Sequence, residues 1–282
     1  MTRPFSDADL DSAAALLAER HARHREAEPL LPADVDFRAE LETLWRRPGA
    51  SGAVSELGFL TGAPREDPVW GPNVWVELAG HAAEQAEAAR DLYALAAQRW
   101  VGEGNTRHYV IVPAHDGALL DAWYRLGFGQ QHTIFLRMGT HDPSASSRED
   151  RGCRPSRGDQ VAPPLPNAPR AMRTHPEEDR VAAGDVLVAE RDGSLVGCVY
   201  LAVREAELHR PRSAFLAWAA IVPEARGSGL GLALTQASLA WARSRSYDVI
   251  ATDWRVTNLL ASRFWPARGF RTTFLRLYRS IP

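Results

Sequence analysis

Shifting this sequence by 142 residues lays much of its later half on its earlier half. Leu92 then falls on Leu234, Val110 on Thr252, Trp123 on Trp265, and Gly127-Phe128 on Gly269-Phe270. One constant offset aligns two helical stretches and the strands between them, which a duplicated domain explains more simply than chance. Such a chain is expected to fold as two related α/β units, each with a mixed or partly parallel sheet. The length agrees, because 282 residues approaches two domains of about 150.

In the earlier half, Ser6 with Asp9 at the third helical position opens a helix that ends before Pro29. Phe37, Leu41, Leu44 and Trp45 mark a second helix, stopped by Pro48-Gly49. The polar run Arg20, His21, Arg23, His24 and Arg25 reads as a solvated helix face, with a ligand site as the alternative. A strand-like region at 53–60 and a strand at 73–78 precede a long Ala-rich helix near 83–101. A strand at 109–112, a short helix over 119–126 and a closing strand at 130–138 complete this half.

The later half repeats the order. Strands at 186–190 and 195–203 form a hairpin turning on Asp192-Gly193. A buried strand at 215–222, a helix at 230–243, a strand at 249–252, a helix at 258–267 and a strand at 272–278 follow. Between the halves, 141–176 carries seven prolines and reads as a linker or irregular segment. The opening helices of a complete second copy are not found there, and 177–184 offers at most one helical turn. The expected domains are therefore 1–140, 141–176 and 177–282.

Composition narrows the function. Lys+Arg 33 against Asp+Glu 35 gives a net charge of −2, which supplies no general drive towards nucleic acid or an anionic membrane. No run of 18 apolar residues is present to span a bilayer, and the acidic N-terminus lacks the basic and apolar regions of a signal peptide. Cys153 and Cys198 are too few and too far apart for a metal cluster or a CxxC site, and read as free thiols in a reducing cytoplasm. A cytoplasmic protein without a metal is expected.

The sharpest local feature is Trp218-Ala-Ala-Ile-Val-Pro-Glu-Ala-Arg-Gly-Ser-Gly-Leu-Gly-Leu-Ala233. A strand ends near Val222, and Arg226-Gly227-Ser228-Gly229-Leu230-Gly231 feeds straight into a helix. Glycines let a ligand approach the backbone, and the helix entrance offers free N–H groups and the positive end of the dipole. A pyrophosphate suits that arrangement, with Arg226 adding a charge-assisted contact. The alternative is a tight connection with a surface arginine. The loop lacks the Gly-Lys-Ser/Thr ending of mononucleotide loops, and Leu232 stands where a dinucleotide fingerprint needs its third glycine.

Arg226-Gly-Ser-Gly229-Leu-Gly231 meets the Arg/Gln-x-x-Gly-x-Gly/Ala pattern of the GNAT superfamily of acyl-CoA N-acyltransferases, which this sequence resembles. Asn258-Leu-Leu-Ala261 through Trp265 to Gly269-Phe270 resembles that family's later Asn-x-x-Ala, aromatic and Gly-Phe segment. The resemblance is strongest over 184–279, with a weaker copy over 71–137. It implies two GNAT-like α/β domains, each a splayed mixed sheet flanked by helices. It also implies backbone pairing of Ile221 and Val222 with pantetheine, amides of 227–231 on the pyrophosphate, and Asn258 orienting pantetheine. The implied activity is N-acyl transfer, with acetyl passing from acetyl-CoA to a primary amine by direct attack in a ternary complex. The acceptor would be a small-molecule amine or a peptide. A catalytically silent acyl-CoA-binding or structural protein is the alternative.

The earlier half departs from this pattern. Glu84-Gln-Ala-Glu-Ala-Ala89 aligns with the glycine loop and carries two carboxylates and no glycine, so a degenerate first copy is expected. The family's frequent tyrosine acid is replaced by Trp265, and indole cannot act as an acid. Asp253 is then the candidate amine-orienting group or water-linked base, and Tyr278 a candidate acid, each with an ordinary packing role as its alternative. Arg255 could read a carboxylate on the acceptor, with a plain surface role as the alternative. Trp218 is expected in the core, Trp254 either in the core or at a cleft, and Cys198 as a small buried side chain.

Overall fold

The computed structural model describes residues 1–138, 153–155, 185–208 and 211–282. The expected irregular segment 141–176, apart from 153–155, and the helical turn at 177–184 lie outside the described residues. In chain order come β1 (Arg3–Pro4), α1 (Leu10–Ala27), α2 (Phe37–Trp45), β2 (Ser51–Ser55), β3 (Gly58–Gly62), β4 (Asn73–Val76) and β5 (His81–Ala83). Then follow α3 (Ala88–Gly102), β6 (Arg107–Pro113), α4 (Gly117–Arg125), β7 (Gly129–Met138) and β8 (Cys153–Pro155). The later elements are β9 (Asp185–Arg191), β10 (Ser194–Arg204), β11 (Ser213–Ile221), α5 (Leu230–Ser244), β12 (Val249–Arg255), α6 (Leu259–Phe264) and β13 (Arg271–Ser280).

The repeat survives in the backbone residue for residue. α3 and α5 both run 15 residues and start at the matched positions Ala88 and Leu230. β6 and β12 both run 7 residues, and β7 and β13 both run 10, again from matched starts. Even the helix stops agree. Gly127 and Gly269 take φ of 82° and 80°, and Phe128 and Phe270 each return an N–H to the tryptophan five residues earlier at 3.3 Å.

Two compact units emerge, and they interleave in sequence. The first comprises Met1–Leu136, Glu207–Pro211 and Asp253–Pro282; the second comprises Arg137–Ala206 and Arg212–Thr252. Within the first unit, one antiparallel sheet has the order β1-β2-β3-β5. A further row runs β4-β6-β13-β7, with β4 parallel to β6 and the other pairs antiparallel. The strand that ends the later half therefore sits between two strands of the earlier half. Tyr278 of β13 faces Tyr109 of β6 on one side and Gly129 of β7 on the other. The loops close the same way, because Ala114 after β6 gives its N–H to Thr273 of β13.

α3 and α4 cover one face of this row. Leu92, Tyr93, Ala96 and Trp100 of α3 and Leu119, Leu120 and Trp123 of α4 bury against Val74, Val76, Val110, Val112, Leu275 and Leu277. The strand residues alternate along each chain, which puts one apolar row towards the helices. On the opposite face, Trp75, Tyr109 and Tyr278 line up across three strands. Trp75 stacks on Tyr109 at 4.4 Å and Tyr109 meets Tyr278 at 4.9 Å.

The second unit orders its strands β8-β9-β10-β11-β12. All neighbours are antiparallel until β11 and β12, which pair in parallel. The hairpin turns on Asp192-Gly193, both with positive φ (52° and 74°), as its sequence demands.

Three expectations need correction. The region 53–60 is a hairpin of β2 and β3, with Ser55 Oγ accepting from Leu57 N–H at 3.2 Å in the turn. The Ala-rich helix starts at Ala88, because His81–Ala83 pair with β3 as β5. The polar run on α1 is not a solvated face: Arg20, His21, His24 and the further Glu28 are all buried on one stripe, while Arg23 is exposed.

Candidate active site

In the second unit, β11 ends at Ile221 and a single turn, Pro223–Ala225, leads to the glycine loop. Gly227 and Gly229 take φ of 76° and 88°, and a Cβ built on either would meet nothing within 4 Å. The conformation excludes side chains for backbone reasons, and the space above it is open. α5 follows at once, with Ala233 N–H to Gly229 O at 3.1 Å as its first return bond. Among the described residues no acceptor takes the amides of 227–232. Ser228 Oγ turns inward to Ala225 O at 2.6 Å.

The strand before the loop is equally open on one edge. The parallel register runs from Ala214↔Ile250 to Leu216↔Thr252 and stops there, whereas β11 continues to Ile221. Residues 217–221 are half-buried or exposed. Val222 commits its N–H to Val196 of β10 at 3.0 Å. Alternation then turns the Ile221 N–H and C=O to the free edge. Arg226 Nε reaches that Ile221 carbonyl at 3.3 Å, so the arginine brackets the strand end. Of the two expected backbone partners, Ile221 is the available one.

The matched corner of the earlier half is closed in every respect. Leu78, Ala79 and Gly80 are buried. The Arg20 guanidinium donates to Leu78 O at 2.8 Å and to His81 O, while Thr61 Oγ1 reaches Gly80 O at 3.4 Å. His81 Nε2 meets Ile111 O of β6, in the other sheet, at 2.8 Å. Burial lowers Arg20 to about 9, helped by Arg23, which leaves it cationic at neutral pH. At the helix entrance the amides of Ala88, Ala89 and Arg90 bond back to Gln85, Ala86 and Glu87. Glu87 itself pairs with Arg90 and Arg125.

The remaining candidates lie in the first unit. Asp253 is half-buried within β12, two residues before an exposed Arg255. Trp254 between them belongs to the core, giving its Nε1–H to Ser262 Oγ at 3.1 Å. Asn258 caps α6 by accepting Ala261 N–H at 3.1 Å, as Asp116 caps α4 by accepting Leu119 N–H at 2.9 Å. Trp265 is buried against Phe264 and Phe270. In the second unit Cys198 is buried, which pushes its thiol up. Trp218 is half-buried and stacks on Tyr200 at 5.9 Å, rather than sitting in the core as expected. The loop set and the set of Asp253, Asn258 and Tyr278 thus belong to different units.

Tyr278 borders an open cleft of about 220 Å³ together with Gly129, Gln130, Gln131, Arg255, Val256 and Thr257. Gln130, Gln131 and Thr257 belong to no sequence motif, although Thr257 adjoins Asn258. Among the described residues no group of three or more His, Cys, Asp or Glu is placed to hold a metal, and no helix is long and apolar enough to cross a membrane.

Residues 157–270 match the sequence model of the acetyltransferase (GNAT) family. A mycothiol acetyltransferase of Sanguibacter keddieii is 34% identical over 116 residues, 36% of this chain and 37% of that protein. An aminoglycoside N(6')-acetyltransferase type 1 of Klebsiella aerogenes is 37% identical over 93 residues, 32% of this chain and 60% of that protein. The chain therefore spans about a third to three fifths of these curated relatives. A tandem GNAT protein from the clavulanic acid biosynthesis pathway has a similar fold at 17% identity, with TM-score 0.56 over 99% of this chain and 98% of that one. A GCN5-related N-acetyltransferase from Sphaerobacter thermophilus gives TM-score 0.58 at 14% identity over 99% and 95%. The acetyltransferase (GNAT) family match thus covers residues 157–270, and the fold along the whole chain is similar to that of solved GNAT structures, with two GNAT-like α/β domains.

Proposed function

We propose that this chain is an acyl-CoA-dependent N-acyltransferase that moves acetyl from acetyl-CoA to the primary amine of a small molecule or peptide. One observation carries the reading: the amides of 227–232 have no acceptor among the described residues, beside two left-handed glycines with open space above them. That is a cradle for a diphosphate, and the residues fit it. The acetyltransferase names of both curated relatives favour acetyl as the acyl group.

On this reading Gly227, Ser228, Gly229, Leu230 and Gly231 hold the pyrophosphate through their amides, and Arg226 adds a cation at the rim. The free edge at Ile221, with Val222 ending the strand, aligns the pantetheine arm as an added strand would, and Asn258 contributes its side-chain amide. Bound acetyl-CoA supplies a thioester carbonyl as the electrophile. Asp253 orients the acceptor amine and takes its proton through a water, which leaves the nitrogen lone pair free to attack. We give Tyr278, which borders the cleft beside Arg255, a binding role. Orientation of the two reactants supplies most of the acceleration.

The same reading gives 177–282 the cofactor loop, 1–140 a degenerate structural copy, and 141–176 the connection. The reducing cytoplasm is the setting we assign, where acetyl-CoA and a free thiol such as Cys198 coexist. The test is a panel of amines with acetyl-CoA, following free CoA and the N-acetyl product. Turnover of any member supports the reading. Tight CoA binding without turnover across a broad panel would favour a silent acyl-CoA-binding protein, a reading that the buried Trp265 in place of an acid keeps in view.

A further inference from the structure

The cleft beside Tyr278 has a closed counterpart one repeat earlier in the chain. There Ala114 bonds to Thr273 as Val256 bonds to Gln131 here, at 3.0 and 3.1 Å. His115, the counterpart of Thr257, stacks on His24 of α1 at 4.5 Å, and Phe274 closes on the same His24 ring at 4.8 Å. Arg271, the counterpart of Gly129, pairs with Glu28, the residue that caps the end of α1, at 2.7 Å. One corner of the sheet is thus filled by a helix. The other is left as an open cleft among the described residues.

The lining of that cleft is rich in donors. The Arg255 side chain is exposed and makes no ion pair or hydrogen bond among the described residues. The Tyr278 hydroxyl is likewise uncommitted, while its ring is held by Tyr109 in the aromatic row. Gln131 uses its amide oxygen to accept from Arg276 Nε at 2.9 Å, which leaves its N–H groups as donors. Thr257 adds a hydroxyl at the mouth. No Asp or Glu is among the lining residues. A guanidinium flanked by neutral N–H and O–H donors on rigid strands matches a planar oxyanion.

We propose that this cleft binds a carboxylate, so that the acceptor class is amines that also carry a carboxylate group. The proposal rests on the acyltransferase reading for the word acceptor, whereas the carboxylate site itself stands on the cleft. Arg255 grips the carboxylate, Tyr278 and Gln131 fix its plane, and the aromatic row behind Tyr278 keeps the site from collapsing.

The test needs no turnover. The full chain is titrated calorimetrically with N-acetylglycine and with N-acetylglycinamide, which differ only in carboxylate against carboxamide, and separately with CoA. The expected result is binding of the acid about tenfold or more tighter than the amide, the scale of one charge-assisted contact. Arg255→Gln abolishes that preference, Arg255→Lys keeps part of it, and Tyr278→Phe narrows it severalfold. CoA affinity stays the same in all three variants. Equal binding of acid and amide by the wild type overturns the proposal, as does a preference that survives Arg255→Gln. Weakened CoA binding in Arg255→Gln also overturns it, because the anion held there would then be the cofactor's own. Loss of CoA binding by the wild type, with the acid preference intact, would sink the acyltransferase reading and leave the carboxylate site standing.

Discussion

Val256 donates its N–H to Gln131 O at 3.1 Å, and Ala114, its counterpart in the repeat, donates to Thr273 O at 3.0 Å. Each residue follows a strand of one sequence half and bonds to the last strand of the other. The pair of bonds shows that the closing strand of each half lies against the other half, a trade of strands made at matched positions of the repeat.

The glycine loop gives the most direct prediction. Gly229→Val places a branched side chain at φ 88° and over the free amides. We expect CoA affinity to fall at least about tenfold, with a stability cost of about 1–2 kcal/mol from backbone strain. Calorimetry with CoA and thermal melts read the two effects separately; unchanged affinity would remove the loop from the cofactor site.

Arg20 should be a large stability determinant although it lies far in sequence from the strand it serves. Arg20→Met leaves the carbonyls of Leu78 and His81 without their buried donor. A loss of about 3 kcal/mol is expected, the usual cost of breaking a buried charged contact on one side. Urea unfolding measures it, and a loss below about 1 kcal/mol would mean that water replaces the guanidinium there.

Acid should weaken the fold earlier than its balanced charge suggests. Burial pushes His24 and His81 down to about 3, with His115 and Arg20 next in line for His24, and Arg20 for His81. Both are neutral when folded and titrate near 6.5 when unfolded, so the unfolded chain binds more protons between those values. Stability is whole above about 6.5 and declines as pH falls, by about 1.4 kcal/mol per unit for each histidine. Unfolding midpoints at pH 7, 6 and 5 would show this. His24→Leu should flatten the profile, and an identical slope would exclude His24 as a contributor.

Asp253→Asn tests the proton path. Turnover of a good amine should drop by about 100-fold with KM for acetyl-CoA unchanged. Equal turnover at every pH would reduce Asp253 to a strand residue.

The repeat was the most legible part of the chain, because α3 and α5, β6 and β12, and β7 and β13 each form from a local pattern that both copies keep. The loop was legible for the same reason: Gly227 and Gly229 announce their backbone before any contact is known. What sequence did not expose are relations between distant residues. Arg20 and His24 look like any polar helix face until Leu78, His81 and Phe274 are brought beside them. β5, at three residues, is shorter than the period that would reveal it. The donors at Gln131 and Thr257 belong to no motif, since they are assembled by the traded strands.

The traded strands also bear on heredity. A gene truncated to either copy would encode a sheet with a missing neighbour, a raw margin prone to self-association. Neither copy can be deleted without stripping a neighbour from the other, since β13 of the later half is paired on one side with β6 and on the other with β7. Two repeats of one pattern are thereby held as a single structural requirement.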